Sequence, residues 1–531
     1  MVQAQVMASP TPFGYIRDSS RWLILVAVIF GAFASILDQT IVNTALPKMQ
    51  AVFGANLHQI SYVVTGYTLA QGALIPATAF LADRFGTKQV YVVSLALFTI
   101  GSVLCGLAPN TTSIIVFRVL QGAGGAALFP LTISIIFSTF APEERGLANA
   151  FLGIPILFAP AVGPTVGGFL VQYVDWRWIF FVNVPVGILG VVLGLRFLRD
   201  SPLQPFLRFD LRGFVVVSVG LALLLYGTSN LSYDGFASAT TVSGPIIIAL
   251  VLLIGWIPLQ LRTRAPLLDL RLFARRNFSI GNIITVLGTI AIFGPSFLLP
   301  QYLQTLRGLA PYPAGLLLAP QGIGTVIGAL ASGVLYNRMG PRFEVAVGTI
   351  LIIGSLVLLA AWTTLSSPYS ALPWILVLNG IGLPFAFQAA NTASLDGVES
   401  RLLPNASTLS TVVRNAMASL AVAVLTNVVL TQQITHNANL ASQVSLSNPS
   451  TAAEVRNLAG AAIQQGASPA AAQAAAVGQI ARSVAGQATV LAFQDTFRLV
   501  AIIAVPSIFL GFLLHVRKKA DDEEAPSMLV A

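Results

Sequence analysis

Apolar residues along this chain arrive in long runs separated by short polar breaks. A hydrocarbon core of about 30 Å is crossed by about 20 residues of helix rising about 1.5 Å each. On that length the runs predict fourteen membrane-spanning helices, over residues 22–43, 59–81, 89–108, 112–138, 147–171, 178–198, 212–230, 242–261, 278–304, 312–336, 343–365, 371–395, 406–433 and 492–515. An even number places both chain ends on one side. The same pattern divides the chain into an amino-terminal tail (1–21), a six-helix bundle (22–198), two inserted spans with their loops (199–277), a second six-helix bundle (278–515) and a closing tail (516–531). The longest excursion, 434–490, is rich in Ala, Gln, Ser and Asn and fits either short helices or unstructured chain.

Composition agrees. Of 531 residues, 56% are apolar and 9% charged, where a soluble domain carries about a quarter charged. That excludes a soluble enzyme, a secreted disulfide scaffold and a nucleic-acid binder. The net charge of +9 has a topological explanation. With the amino terminus inside, 20 of the 28 Lys and Arg fall in inner loops and five outside (Lys48, Arg177, Arg307, Arg456, Arg482); Arg118, Arg414 and Arg498 lie within spans. Basic residues gather in cytoplasmic loops, so both termini are expected on the cytoplasmic side of the cell membrane. Cys105 is alone, and His58, His436 and His515 lie far apart, so neither a disulfide framework nor a metal site is expected. The first span carries Asp38 and lacks a small-x-small cleavage site, which favours a retained helix over a signal peptide. No phosphate-binding GxxxxGK[ST] loop is present, so ATP-driven transport is not expected. No cofactor is implied; the expected partners are the bilayer, a small-molecule substrate and protons, with a monomer sufficing.

Two loops repeat. Ala79-Phe-Leu81-Ala-Asp83-Arg84-Phe-Gly86-Thr-Lys88 follows span 2, and Gly333-Val-Leu335-Tyr-Asn337-Arg338-Met-Gly340-Pro-Arg342 follows span 10, at an offset of 254 residues. Leu, Arg, Gly and a base recur in register, and Asn337 stands for Asp83. Duplicated halves moving about a central site are a common transporter architecture. A short basic turn puts Arg84 and Lys88 near headgroups or a helix carbonyl end, while Asp83 suits the amino terminus of a neighbouring helix. Simple positive-inside anchoring is the competing explanation.

At these residues the chain resembles the major facilitator superfamily, and within it the 14-span QacA/EmrB-like drug:proton antiporters. The first loop is similar to the superfamily's signature loop, with Ala79 for the usual Gly and Thr87 for a base. Leu37-Asp38-Gln39-Thr40-Ile41-Val42-Asn43-Thr44-Ala45-Leu46-Pro47 resembles the first-helix motif. Thr65-Gly66-Tyr67-Thr68-Leu69 resembles the second-helix pattern, although Tyr62 stands where Trp is usual. Arg118-Val-Leu-Gln121-Gly122-Ala-Gly124-Gly125 follows in span 4. Gly163-Pro164-Thr-Val-Gly167-Gly168 in span 5 is similar to the antiporter motif, with Ala159 for an expected Gly, and Trp176-Arg177-Trp178-Ile-Phe180-Phe181-Val-Asn183-Val-Pro185-Val-Gly187 completes the set. The resemblance implies an all-α major facilitator fold of two pseudo-symmetric six-helix bundles plus two inserted spans. It also implies a gating role for Leu81, Asp83, Arg84, Gly86 and Lys88, a helix bend tied to export at Gly163, Pro164, Gly167 and Gly168, and a coupling role for Arg118.

Asp38 is read as the one acidic residue deep in a span. A charge at that depth costs a few kcal/mol and usually faces a cavity or a partner. Burial and a nearby cation act oppositely on a carboxyl, so alternating exposure would let Asp38 load and release a proton. A permanent pair with Arg118 is the structural alternative. Arg414 either faces the interior or snorkels. Ser35, Gln39, Tyr67, Gln121 and Arg414 are the expected cavity-lining residues. The other polar residues in spans, Gln71, Asn282, Gln321, Asn379, Gln388 and Asn391, are each better read singly as interhelical hydrogen-bonding groups than as pathway lining. The function expected is a proton-coupled exporter of amphipathic or hydrophobic molecules. A facilitator or importer of one metabolite is the alternative, and a membrane-embedded receptor or enzyme is disfavoured for want of convergent catalytic groups.

Overall fold

The computed structural model describes residues 20–515 apart from 201, 202, 204–207, 236, 264, 397 and 445–448. Among them are fourteen long helices and no strand. They are α1 Arg21–Thr44, α2 Leu57–Leu74, α3 Thr87–Gly106, α4 Thr111–Thr139, α5 Pro142–Tyr173, α6 Trp178–Phe197, α7 Leu211–Leu231, α8 Ala239–Arg262, α9 Arg276–Leu306, α10 Tyr312–Tyr336, α11 Arg338–Trp362, α12 Leu372–Leu395, α13 Leu403–Gln443 and α14 Pro469–Phe512. Twelve of these, all but α2 and α5, are long and apolar enough to cross a membrane. The chain is a multi-pass membrane protein. α5 has 32 residues, and α2 continues through a 3-10 turn into a helix over Thr78–Phe85.

Local chemistry sets several helix starts. Asn56 and Gln59 form a reciprocal capping box at α2, Asn110 accepts from the Ser113 amide at α4, and Asp210 accepts from the Gly213 amide at α7. Each satisfies a backbone donor that the helix itself leaves free. Proline opens α5 and α10, where its missing N–H costs nothing.

The two halves share one packing plan. In the first, α4 packs on α2 and α3, while α1 packs on α5 and α6. In the second, α12 packs on α10 and α11, while α9 packs on α13 and α14. The repeat noted in the loops is matched by backbone geometry. Gly86 turns the Thr78–Phe85 helix into α3 at φ 92°, and Gly340, at φ 75°, breaks the helical run just inside the start of α11, a left-handed conformation that favours glycine. Arg342, in the second loop, donates to the Leu514 carbonyl at 2.6 Å near the end of α14. Asp83 does not act as the expected cap. The Thr78–Phe85 segment packs on α13, but among the described residues no backbone N–H donates to Asp83.

Between the halves, α5 runs antiparallel to α10. Gly146 faces Tyr336, Gly333 faces Ala150, and Gly315 faces Thr165 so closely that an added Cβ would stand 2.8 Å from its Oγ1. The inserted helix α7 wedges against α2 and α13, whereas α8 packs on α7 and turns Ile247, Val251 and Ile254 outward. The excursion at 434–490 is largely helical. α13 has 41 residues, about 62 Å at 1.5 Å per residue, so it runs past any bilayer core. A further helix, Pro449–Gln464, packs on the long early part of α14. His436 and Asp495 pair at 2.7 Å to tie α13 to α14.

Candidate functional site: a buried ion pair behind a central cavity

Five helices of the first half converge on Asp38. It is fully buried on α1 and pairs with Arg118 of α4, itself fully buried. Gln121 and Asn183 each donate to Asp38 Oδ1 at 2.9 Å. Arg118 donates from Nε to the Val63 carbonyl of α2 at 2.9 Å and from a terminal nitrogen to Gln121 Oε1 at 2.8 Å. Ser102 of α3 accepts from Asn183 at 3.3 Å and donates to the Phe180 carbonyl at 2.9 Å. Both carboxylate oxygens therefore have donors, as a buried charge requires.

Glycines make this convergence physically feasible. An added Cβ at Gly122 would lie 2.3 Å from the Tyr67 carbonyl oxygen, and one at Gly124 2.3 Å from the Phe98 amide nitrogen. On α5, Gly163 and Gly167 press against Thr40 and Thr44 of α1, each added Cβ falling 2.3 Å from a threonine hydroxyl. Gly168 is buried and Pro164 half-buried. Thus the segment 163–168 packs on the helix that carries Asp38. α5 remains one unbroken helix through it.

A cavity of about 450 Å³ lies between the halves, within the range of small-molecule sites. The first half contributes Ser35, Gln39, Gln71 and Phe129 to its lining, the second half Gln321, Phe387, Arg414 and Asn415, and α7 adds Leu225, Thr228 and Ser229. Of the five expected lining residues, Ser35, Gln39 and Arg414 are there; Tyr67 and Gln121 are not. Asp38 and Arg118 are also absent from the lining, so the deep carboxyl does not open on the central pathway in this conformation.

One hydrogen-bonded layer separates the two features. Gln39 donates to Gln71 Oε1 at 3.1 Å, and Gln71 donates to Ser35 Oγ at 3.2 Å. The Ser35 and Tyr67 hydroxyls lie 3.0 Å apart, and the Tyr67 ring centroid is 4.2 Å from the Arg118 guanidinium carbon. Tyr67 belongs to the wall between cavity and pair.

The remaining polar residues sort themselves. Gln321 and Asn379 bond at 3.0 Å, Asn282 donates to its own helix, and Gln388 meets Gly153 across the halves. Asn391 is buried. Asn183 and Ser102 had no assigned role in the sequence, although Asn183 lies in a quoted motif. A second buried acid, at a span end, also went unread. Glu344, fully buried, accepts from Ser332 at 3.0 Å, but it begins a predicted span and so looked peripheral. At the same end, Asn149 donates to Thr392 at 2.6 Å and Arg145 lies 3.6 Å from Asp396, joining the halves. Leu81 packs on the core, and Arg84 and Lys88 are half-buried.

The family description "Major Facilitator Superfamily" matches residues 28–422. The MFS-type transporter YhcA of Bacillus subtilis is 30% identical over 499 residues, 93% of each chain. A multidrug resistance protein B homolog of Mycobacterium tuberculosis is 34% identical over 409 residues, 76% of this chain and 75% of that one. The crystal structure of the human organic anion transporter MFSD10 superposes with a TM-score of 0.57 at 13% identity, covering 92% of this chain and 99% of that one. At that identity it speaks for the fold alone.

Proposed function

The chain belongs to the major facilitator superfamily, a family of transporters, and from that membership we propose that it is a proton-coupled antiporter exporting amphipathic or hydrophobic small molecules. The observation that carries this reading is a substrate-sized cavity one hydrogen-bonded layer away from a buried carboxylate–guanidinium pair. The relative named for multidrug resistance supports the substrate range. The basic bias of one set of loops supports cytoplasmic termini.

In this mechanism Asp38 carries the proton. Arg118, Gln121 and Asn183 hold it as a carboxylate, and it takes up a proton when the halves rearrange and the Tyr67 layer opens. Arginine keeps its own proton at working pH, so Arg118 acts by charge and hydrogen bonding. The 20 to 5 loop asymmetry supports a cytoplasmic side for the Gly86 and Gly340 turns. The cross-half contacts of Asn149 and Arg145 then close that face between cycles. One proton moving inward down a potential contributes about 2.3 kcal/mol per 100 mV.

Full burial of the pair favours one competing reading, a facilitator in which Asp38 and Arg118 only brace the first half. Dye accumulation in cells separates the two. The antiporter lowers accumulation of an exported dye, and a protonophore abolishes the difference. A facilitator is indifferent to the protonophore.

A further inference from the structure

The cavity is asymmetric in charge. Arg414 is the one ionisable side chain among the described residues lining it; the rest are apolar, aromatic, hydroxyl or amide groups. Its guanidinium carbon lies 3.8 Å from the centroid of the Phe129 ring, so a residue of the second half stacks on one of the first. None of the ion pairs among the described residues includes Arg414. Asp38, the nearest candidate by function, is committed to Arg118 behind the Tyr67 layer.

Arg414 is half-buried, so it has lost part of its hydration without gaining a counter-charge, and a ligand that brings one gains the interaction at reduced dielectric. A cationic ligand meets like charge in the same place. The guanidinium lies against the Phe129 ring, and among the described residues no acceptor takes a hydrogen bond from its N–H groups. Those groups match a carboxylate or sulfonate in the plane of the fork. Phe387 and the aliphatic lining provide surface for an apolar body.

We propose that the central cavity selects amphipathic organic monoanions, with Arg414 as the counter-charge and the apolar lining holding the hydrocarbon part. The proposal rests on the reading of this cavity as the transport site and narrows its substrates from any amphipathic molecule to one charge class. Arg414 thereby becomes a specificity-determining residue.

Equilibrium binding to the purified full-length protein in nanodiscs tests it, with empty nanodiscs subtracted. Three probes share one aromatic body: 1-naphthalenesulfonate, 1-naphthol and 1-naphthyltrimethylammonium. The wild type should bind the sulfonate at least tenfold more tightly than either other probe. Arg414→Gln should weaken the sulfonate at least tenfold with naphthol unchanged, and Arg414→Lys should keep the sulfonate preferred. Equal or tighter binding of the ammonium probe by the wild type overturns the proposal. So does sulfonate affinity that survives Arg414→Gln. The wild-type ranking decides even if a variant fails to fold. No gradient is present, so loss of the antiport reading leaves this result standing. Proton-driven export of the cation without sulfonate binding sinks this inference alone.

Discussion

Tyr67 touches Arg118 with its ring and Ser35 with its hydroxyl, at 4.2 Å to the ring centroid and 3.0 Å between hydroxyl oxygens. One side chain thus joins the wall of the central cavity to the buried charge pair. Any ligand that competes for Gln39 or Gln71 disturbs the bonds that position this hydroxyl.

Tyr67→Phe keeps the ring over Arg118 and deletes the link to Ser35. Losing a hydrogen bond of this kind costs about 1 kcal/mol, so the protein should fold. Transport should persist with fewer protons moved per substrate. A pH-sensitive dye recorded alongside substrate flux in vesicles checks this, and an unchanged ratio contradicts it.

Asp38 and Arg118 should be destabilising to remove singly and tolerable to remove together. Leaving one buried charge unpaired costs about 3–5 kcal/mol. Asp38→Asn and Arg118→Gln should each lower the melting temperature, and the double variant should recover part of the loss. Additive losses would mean that the pair is not an energetic unit.

How much of this was legible beforehand differs by feature. Twelve of the fourteen expected spans were, because bilayer thickness sets a minimum length for a spanning apolar run. Thus 112–138 was expected and Thr111–Thr139 found. The turn at Gly340 was legible through its repeat at Gly86. Membership of Asp38 and Arg118 in one cluster was read from residue type, since a deep carboxylate needs a cation. The side on which they face was not. Helix rotation depends on which small residues meet, and Gly122 against Tyr67 is a tertiary fact. For the same reason Tyr67 and Gln121 were expected in the cavity and sit behind it. Glu344 was missed because a span edge drawn at 343 put it beside the Gly340 turn, where an acid reads as solvated, whereas tertiary packing buries it against Ser332.

Packing at Gly122 predicts a steric limit. Gly122→Ala drives a methyl to 2.3 Å from the Tyr67 carbonyl oxygen, and overpacking of this kind costs about 1–3 kcal/mol. Gly354→Ala, with nothing within 4 Å of the added carbon, serves as the control. Thermal unfolding should drop for the first and not for the second.

Asp83 predicts a pH effect with a definite sign. Burial pushes its carboxyl up from 3.8 to about 6. The native state therefore holds more protons than the unfolded chain between those values, and stability falls as pH rises through that window, then levels off. Measured as melting temperature from pH 4 to pH 7, the wild type should lose ground to Asp83→Asn up to about pH 6. Parallel curves would show that Asp83 is solvated.

The Asn149–Thr392 bond, at 2.6 Å, crosses between the halves. Cysteines at these two positions, in a Cys105→Ala background, should be joined by a short bifunctional thiol reagent, and the bridge should stop transport until it is cleaved. Full transport with the bridge intact contradicts a latch between moving halves.

The central claim is that the proton rides on Asp38. Proteoliposomes loaded with a pH-sensitive dye measure it most directly, on addition of a transported substrate. Substrate should trigger proton movement with the wild-type protein and none with Asp38→Asn or with the folded Asp38→Asn, Arg118→Gln double variant. Wild-type proton exchange by either variant would contradict the account and leave the pair as a brace.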